Sequence, residues 1–259
     1  ELWPNLISIC HEQRMPLALV NARLSERSAR GYARFPALAG DALNKLALIA
    51  AQTKDDGDRL QSLFSGDIYL TGNLKFDNDV PSAQVDLGEK MREQFGENRP
   101  IWLAASTRDG EEKLLLETLQ KIQTANALAI IVPRHPQRFN EVAELLKSNQ
   151  IAFQRRSENA AIAPSTRVVL GDSMGEMFAY FAASDVAFIG GSLLPLGGQN
   201  LIEACAVGTP VLIGPHTFNF AEATDQAITC GAAKRVAGAS ELAQEIDQLL
   251  ANPAQRKSM

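Results

Sequence analysis

The sequence predicts an α/β protein built on parallel sheets, and three observations carry that expectation. Short apolar runs at residues 101–105, 128–132 and 186–189 are hydrophobic throughout rather than alternating, as strands covered on both faces are. Helix-like stretches of about 10–15 residues separate them, the spacing of βαβ units. Polar, glycine-bearing or proline-bearing loops follow the runs, at 106–112, 133–138, 171–176, 190–200 and 214–220. In such sheets ligands bind beyond the carboxyl ends of the strands, so these five loops define one edge worth reading.

Taken in order, residues 2–9 are apolar, are broken by Pro4, and read as the close of an earlier βα unit. Residues 16–22 make a buried strand, 46–51 a second and 68–71 a third. Thr53 ahead of Lys54, Asp55 and Asp56 is a capping start for a helix running to Leu63. Arg23, Arg27, Arg30 and Arg34 recur at steps of four, three and four, and on a helix they share one face. Two readings stand for that face: an ordinary solvated surface, or a cationic surface for a phosphorylated or membrane-borne partner. Residues 77–82 (DNDVPS) are polar, contain proline and read as a linker. They divide the chain into an N-terminal domain over 1–80 and a C-terminal domain over 81–259. In the second domain strands are expected at 101–105, 128–132, 168–170, 186–189, 211–213 and 232–236. Helices are expected at 82–95, 110–124, 139–149, 174–183, 200–207, 221–230 and 240–250.

Composition narrows the function classes. The apolar share of 46% is that of an ordinary globular chain. A formal net charge of −5 gives a nucleic-acid partner no global electrostatic support. Cys10, Cys205 and Cys230 make no CxxC pair and read as reduced thiols. His11, His135 and His216 lack metal-ligand spacing, so no metal is expected. No apolar run reaches the ~18 residues of a membrane span. The chain opens on ELWPN without an initiating Met, and is expected to be part of a longer protein whose first domain is incomplete here.

The most informative stretch is 185–220. A buried strand runs into Gly190-Gly191-Ser192 and Gly197-Gly198, then into Asn200-Leu201-Ile202-Glu203, where Asn200 and Glu203 stand at N-cap and N3 spacing. Glycines let backbone approach a ligand, and free N–H groups at a helix start favour an anion. Ser173 and Glu176 likewise form an S-x-x-E capping box, and capping alone is an equal alternative for all four residues. Arg134-His135 between two prolines is either a simple turn or a guanidinium fork for phosphate or carboxylate. No P-loop and no G-x-G-x-x-G are present, which argues against NTP hydrolysis and dinucleotide redox. A Glu at a helix start suits vicinal ribose hydroxyls. A ribose with one or two phosphates and no metal cage describes a nucleotide-activated sugar.

The motifs ELWPN (1–5), NARLSERS (21–28), TGNLKFD (71–77), PRHP (133–136), GDSMGE (171–176), GGSLLPLGGQN (190–200) and GPHTFNF (214–220) together resemble the 3-deoxy-D-manno-octulosonic acid (Kdo) transferases, end to end and in order. Gln199 departs from the family, where many members have His, and so does Arg108. The resemblance implies a GT-B architecture of two Rossmann-like domains, transfer of Kdo from CMP-Kdo to a lipid A precursor at the cytoplasmic face of the inner membrane, and no cofactor. It implies CMP contacts from Pro133, Arg134, Met174, Gly175, Glu176, Asn200, Leu201, Ile202 and Glu203. It implies transition-state stabilisation by Glu1 and Lys75, a general base upstream of residue 1, and inversion at the anomeric centre. The rival readings are a sugar-nucleotide 2-epimerase of the same architecture and a non-catalytic nucleotide-binding scaffold. UDP preference would favour the first.

Overall fold

Proline opens two helices of the N-terminal unit, because its fixed φ suits the first helical position and its missing N–H is not needed there. These are α1 (Pro4–Glu12) and, after β1 (Ala18–Ala22) and α2 (Glu26–Tyr32), α3 (Pro36–Asn44). Pro4 therefore starts a helix rather than acting as a break within residues 2–9. The computed structural model describes residues 2–74 and 79–259. They fall into two compact units, Glu1–Asn78 and Asp79–Met259.

The first unit continues with β2 (Leu48–Ala51), α4 (Lys54–Gln61) and β3 (Ile68–Leu70). Its strands pair in parallel in the order β1-β2-β3, with Leu19 opposite Ile49 and Ile49 opposite Ile68. Ile7, Leu43, Ile49, Leu60 and Phe64 form its core. Thr53 caps α4 by accepting from the Asp56 N–H at 3.1 Å. Asp56 is buried, and it accepts from the Leu24 N–H at 2.9 Å, the Thr53 hydroxyl at 2.7 Å and Arg59 at 3.4 Å. Burial alone would raise its pKa, but those three partners outweigh it and hold the carboxyl below its ordinary value.

The expected four-arginine helical face is shorter in the structure. α2 carries Arg27 and Arg30, while Arg23 precedes the Ser25 cap and Arg34 follows the helix end. The cap sets the boundary: Ser25 Oγ accepts from the Ser28 N–H at 3.2 Å, so the helix cannot start earlier. All four arginines are exposed.

The second unit runs α5 (Ser82–Phe95), β4 (Ile101–Thr107), α6 (Glu111–Lys121), β5 (Leu128–Pro133), α7 (Phe139–Ser148), β6 (Phe153–Arg155), β7 (Val168–Leu170), α8 (Met177–Ala183), β8 (Val186–Ile189), α9 (Ile202–Val207), β9 (Val211–Ile213), α10 (Ala221–Thr229), β10 (Ala233–Arg235), α11 (Ala239–Ala251) and α12 (Pro253–Ser258). Among the described residues these strands form one parallel sheet in the order β10-β9-β8-β4-β5-β7-β6. Successive residues of β4 point to opposite faces: Ile101, Leu103 and Ala105 pack with Phe181 and Ile202, and Trp102 and Ala104 with Leu115 and Leu242. β5, β8 and β9 are buried throughout and β4 at every residue but Ser106, the two-sided covering that their apolar runs require. The chain first builds outward from β4 to β5, then lays β6 at the edge and returns with β7 between β5 and β6. It then returns to the other side of β4 for β8, β9 and β10. The order of building reverses between β4 and β8, the switch point beside which such sheets bind ligands.

Candidate functional site

At that reversal the backbones of β4 and β8 nearly touch. A Cβ on Gly190 would lie 2.6 Å from the Ser106 carbonyl oxygen, so only glycine fits. The pairing of β4 with β5 shifts register between Ala105 and Thr107, and Ser106 sits there with φ of +58°, a strained conformation for a serine.

The glycine loop after β8 does not offer the free amides that its sequence suggests. Glu111, the first residue of α6, reaches across and accepts from Gly191 N at 2.6 Å, Ser192 N and Leu193 N at 3.1 Å, and Arg108 N at 3.3 Å. Its side chain is wholly buried; burial pushes the carboxyl pKa up, and the four N–H donors oppose that rise. The loop's return is also fixed, with Gly198 N donating to Gly191 O at 2.7 Å and Gln199 N to Gly190 O at 3.0 Å. An internal carboxylate thus fills the anion nest at 190–193, and a ligand must bind beside it.

A cavity of about 290 Å³ opens beside it, between the loops after β5, β7 and β8. Pro133 and Arg134 line it from the end of β5, the proline buried and the arginine exposed. Arg134 N donates to the Thr107 carbonyl at 3.0 Å, fixing the fork's root beside the end of β4. Arg134 is the one cation among the described lining residues. Four residues on, Arg138 is a structural neighbour instead, pairing with Glu112 at 2.6 Å and Glu141 at 2.9 Å.

Met174, Gly175 and Glu176 form a second wall. The expected capping box is not made in its backbone form. α8 starts only at Met177, and the Ser173 hydroxyl donates directly to the Glu176 carboxylate while lying 2.6 Å from Tyr180 Oη. Burial raises the Tyr180 phenol pKa, so it stays protonated. The other Glu176 oxygen pairs with Arg156 at 3.3 Å.

Asn200 and Glu203 form the third wall. α9 begins two residues later than the spacing suggests, at Ile202. Asn200 Oδ1 accepts from the Ile202 N–H at 3.0 Å and its Nδ2 donates to Glu203 Oε1 at 3.0 Å. Leu201 and Ile202 are not brought to the cavity: their side chains pack into the core, 1% and 7% exposed, because that face of α9 lies on the sheet. Glu1 and Lys75 lie outside the described residues.

Sequence reasoning did not single out Val132, Met177, Tyr180 or Phe220, which give the cavity its apolar part, nor Ser106 as a lining residue. Their only signal was position next to the loops. Among the described residues no group of three or more His, Cys, Asp or Glu is placed to hold a metal ion. No helix of the described residues is long and apolar enough to cross a membrane.

Residues 1–78 match the family model of the 3-deoxy-D-manno-octulosonic-acid transferases (kdotransferases), and residues 112–259 match that of the group 1 glycosyl transferases. The chain is 35% identical to the crystallised C-terminal CMP-Kdo binding domain of WaaA from Acinetobacter baumannii, with a TM-score of 0.65, over 68% of this chain and 94% of that one. The chain belongs to the Kdo transferase family. The 3-deoxy-D-manno-octulosonic acid transferase of Bordetella pertussis is 44% identical over 265 residues, covering 100% of this chain and 61% of that protein. This Kdo transferase chain therefore spans about three fifths of that relative's length. The UDP-GlcNAc 2-epimerase of Neisseria meningitidis is 19% identical, with a TM-score of 0.60 over 98% of this chain and 66% of that one, a likeness of fold alone. The α/β fold of the GT-B type follows.

Proposed function

We propose that the protein is a glycosyltransferase that moves Kdo from CMP-Kdo to a lipid A precursor, and that the cavity of the second unit takes the CMP half of the donor. One observation carries the reading. In a chain of this family, three loops at the reversal of strand order bring Arg134, Glu176, Asn200 and Glu203 around one cavity.

Departure of CMP from the ketose C2 builds an oxocarbenium-like centre and leaves negative charge on the phosphate. Arg134 meets that charge with charge-assisted hydrogen bonds. The first N–H of α9 is already held by Asn200, so the helix start contributes less than its sequence implies. Among the described residues Glu203 keeps one oxygen unclaimed for ribose hydroxyls. The resemblance assigns transition-state stabilisation to Lys75 and Glu1 without a metal, and proton removal from the acceptor hydroxyl to a carboxylate before residue 1. Single displacement inverts the anomeric centre. The exposed Arg23, Arg27, Arg30 and Arg34 support contact with acceptor phosphates or the anionic lipid of the inner membrane's cytoplasmic face.

Calorimetry of this chain with CMP, UMP and UDP tests the donor half, and tighter binding of CMP is expected. A preference for UDP would overturn the assignment in favour of a 2-epimerase. The chain extended to its relatives' full length is expected to release CMP from CMP-Kdo when lipid A precursor is present. Binding without release would mark a scaffold.

A further inference from the structure

We propose that Arg156 and Glu176 together select the nucleobase: Glu176 accepts from the exocyclic amine of an aminopyrimidine, and Arg156 is the positioning residue that holds it in that pose. The inference rests on the cavity being the nucleotide site.

Arg156 stands just after the edge strand β6, its side chain 13% exposed, with Nη2 on Glu176 Oε1 at 3.3 Å and Nη1 on Asn159 Oδ1 at 2.5 Å. Its Nε is buried and has no hydrogen-bond partner among the described residues. A buried orphan donor is costly, and its retention calls for an explanation. The segment around it cannot swing away. Arg155 pairs with Asp172 at 3.3 Å, and Ser157 donates to the same carboxylate through N at 2.9 Å and Oγ at 2.7 Å. Residues 155–157 are thus pinned to the loop after β7, and the guanidinium is set against Glu176 as a fixed stop.

Glu176 is held from both sides, by Arg156 on Oε1 and by the Ser173 hydroxyl on Oε2. Each oxygen keeps a further lone pair, and an ionised carboxylate accepts only. Cytosine presents an N4 amine donor at its edge, whereas uracil presents the O4 acceptor, which would face those lone pairs. Glu203 differs because one of its oxygens accepts from no group among the described residues, which suits a pair of vicinal hydroxyls better than a single amine. Val132, Pro133, Met177 and Phe220 offer apolar surface for the ring. Pairing with Arg156 also balances the Glu176 charge beside an anionic ligand.

The test is calorimetric affinity for CMP and UMP, measured on this chain and on its Glu176→Gln, Arg156→Gln and Arg156→Lys variants and the Arg156→Gln/Glu176→Gln double variant. The near-isosteric Glu176→Gln is expected to narrow the CMP-to-UMP ratio roughly tenfold, the weight of a charge-assisted hydrogen bond. Arg156→Gln is expected to narrow it by a similar factor, the double variant no further than either alone, and Arg156→Lys to restore part of it. A merely structural arginine would lower the melting temperature and leave the ratio unchanged. An unchanged ratio in Glu176→Gln overturns the base-selection role. An unchanged ratio in Arg156→Gln alone overturns the part given to Arg156, and if that variant does not fold, the ratio in Arg156→Lys decides. Failure of the unmodified chain to bind either nucleotide overturns the nucleotide reading itself, and this inference with it.

Discussion

Asn200 joins two structural duties in one amide: its Oδ1 takes the Ile202 N–H at 3.0 Å while its Nδ2 holds Glu203 Oε1 at 3.0 Å. The same side chain ends the loop after β8, satisfies the helix start and orients the carboxylate that faces the cavity. Asn200→Asp keeps the acceptor for Ile202 but sets a second negative charge against Glu203. It is expected to retain near-normal thermal stability and to lose roughly tenfold in CMP affinity by calorimetry. Equal losses of stability and affinity would reduce Asn200 to a cap.

Arg134 is expected to act on phosphate alone. Arg134→Ala should weaken CMP binding about tenfold, with cytidine binding unchanged, and should flatten the salt dependence of CMP affinity. Equal losses for CMP and cytidine would place the guanidinium elsewhere on the ligand.

Glu111→Gln probes the filled nest. Its two oxygens each accept from two N–H groups, so an amide NH₂ in either place would face two donors. A loss of about 2–4 kcal/mol is expected in chemical denaturation, from broken charge-assisted bonds and unsatisfied amides. A change under ~0.5 kcal/mol, the range of ordinary surface substitutions, would contradict this account.

Asp56 gives the first unit a pH dependence of known sign. Its folded pKa lies below the unfolded value of about 3.9. Its contribution is therefore present above that value and disappears as pH falls through the folded pKa. Asp56→Asn is expected to be less stable than the parent at pH 7 by about 1–3 kcal/mol. In thermal unfolding at pH values stepped down through the acid range, the two proteins should converge. A gap that persists or widens in acid would rule out the carboxylate as its source.

The parallel sheet was legible because β5, β8 and β9 are apolar at every position and β4 is apolar over residues 101–105, a pattern that burial on both faces imposes locally. β6 was not, since Phe153-Gln154-Arg155 is short, mixed and at the sheet edge. α1 and α3 were obscured by the prolines that start them. The loops that gather round the cavity could be placed, because strand alternation fixes which edge they occupy. What occupies their amides could not: Glu111 stands 80 residues before Gly191, and only the folded chain joins them. Arg156 was hidden for the same reason, as nothing within its own loop hints at Glu176, 20 residues on.

The carboxylate in the 190–193 nest has a consequence for how a ligand is received. Loops that wait for a phosphate to order them lose conformational freedom when it arrives, and that loss is subtracted from affinity. Here Glu111 has already immobilised the loop, so the entropy was surrendered during folding. Nucleotide binding should then resemble docking into a finished surface, with a heat-capacity change set by the area covered and no added contribution from coupled folding.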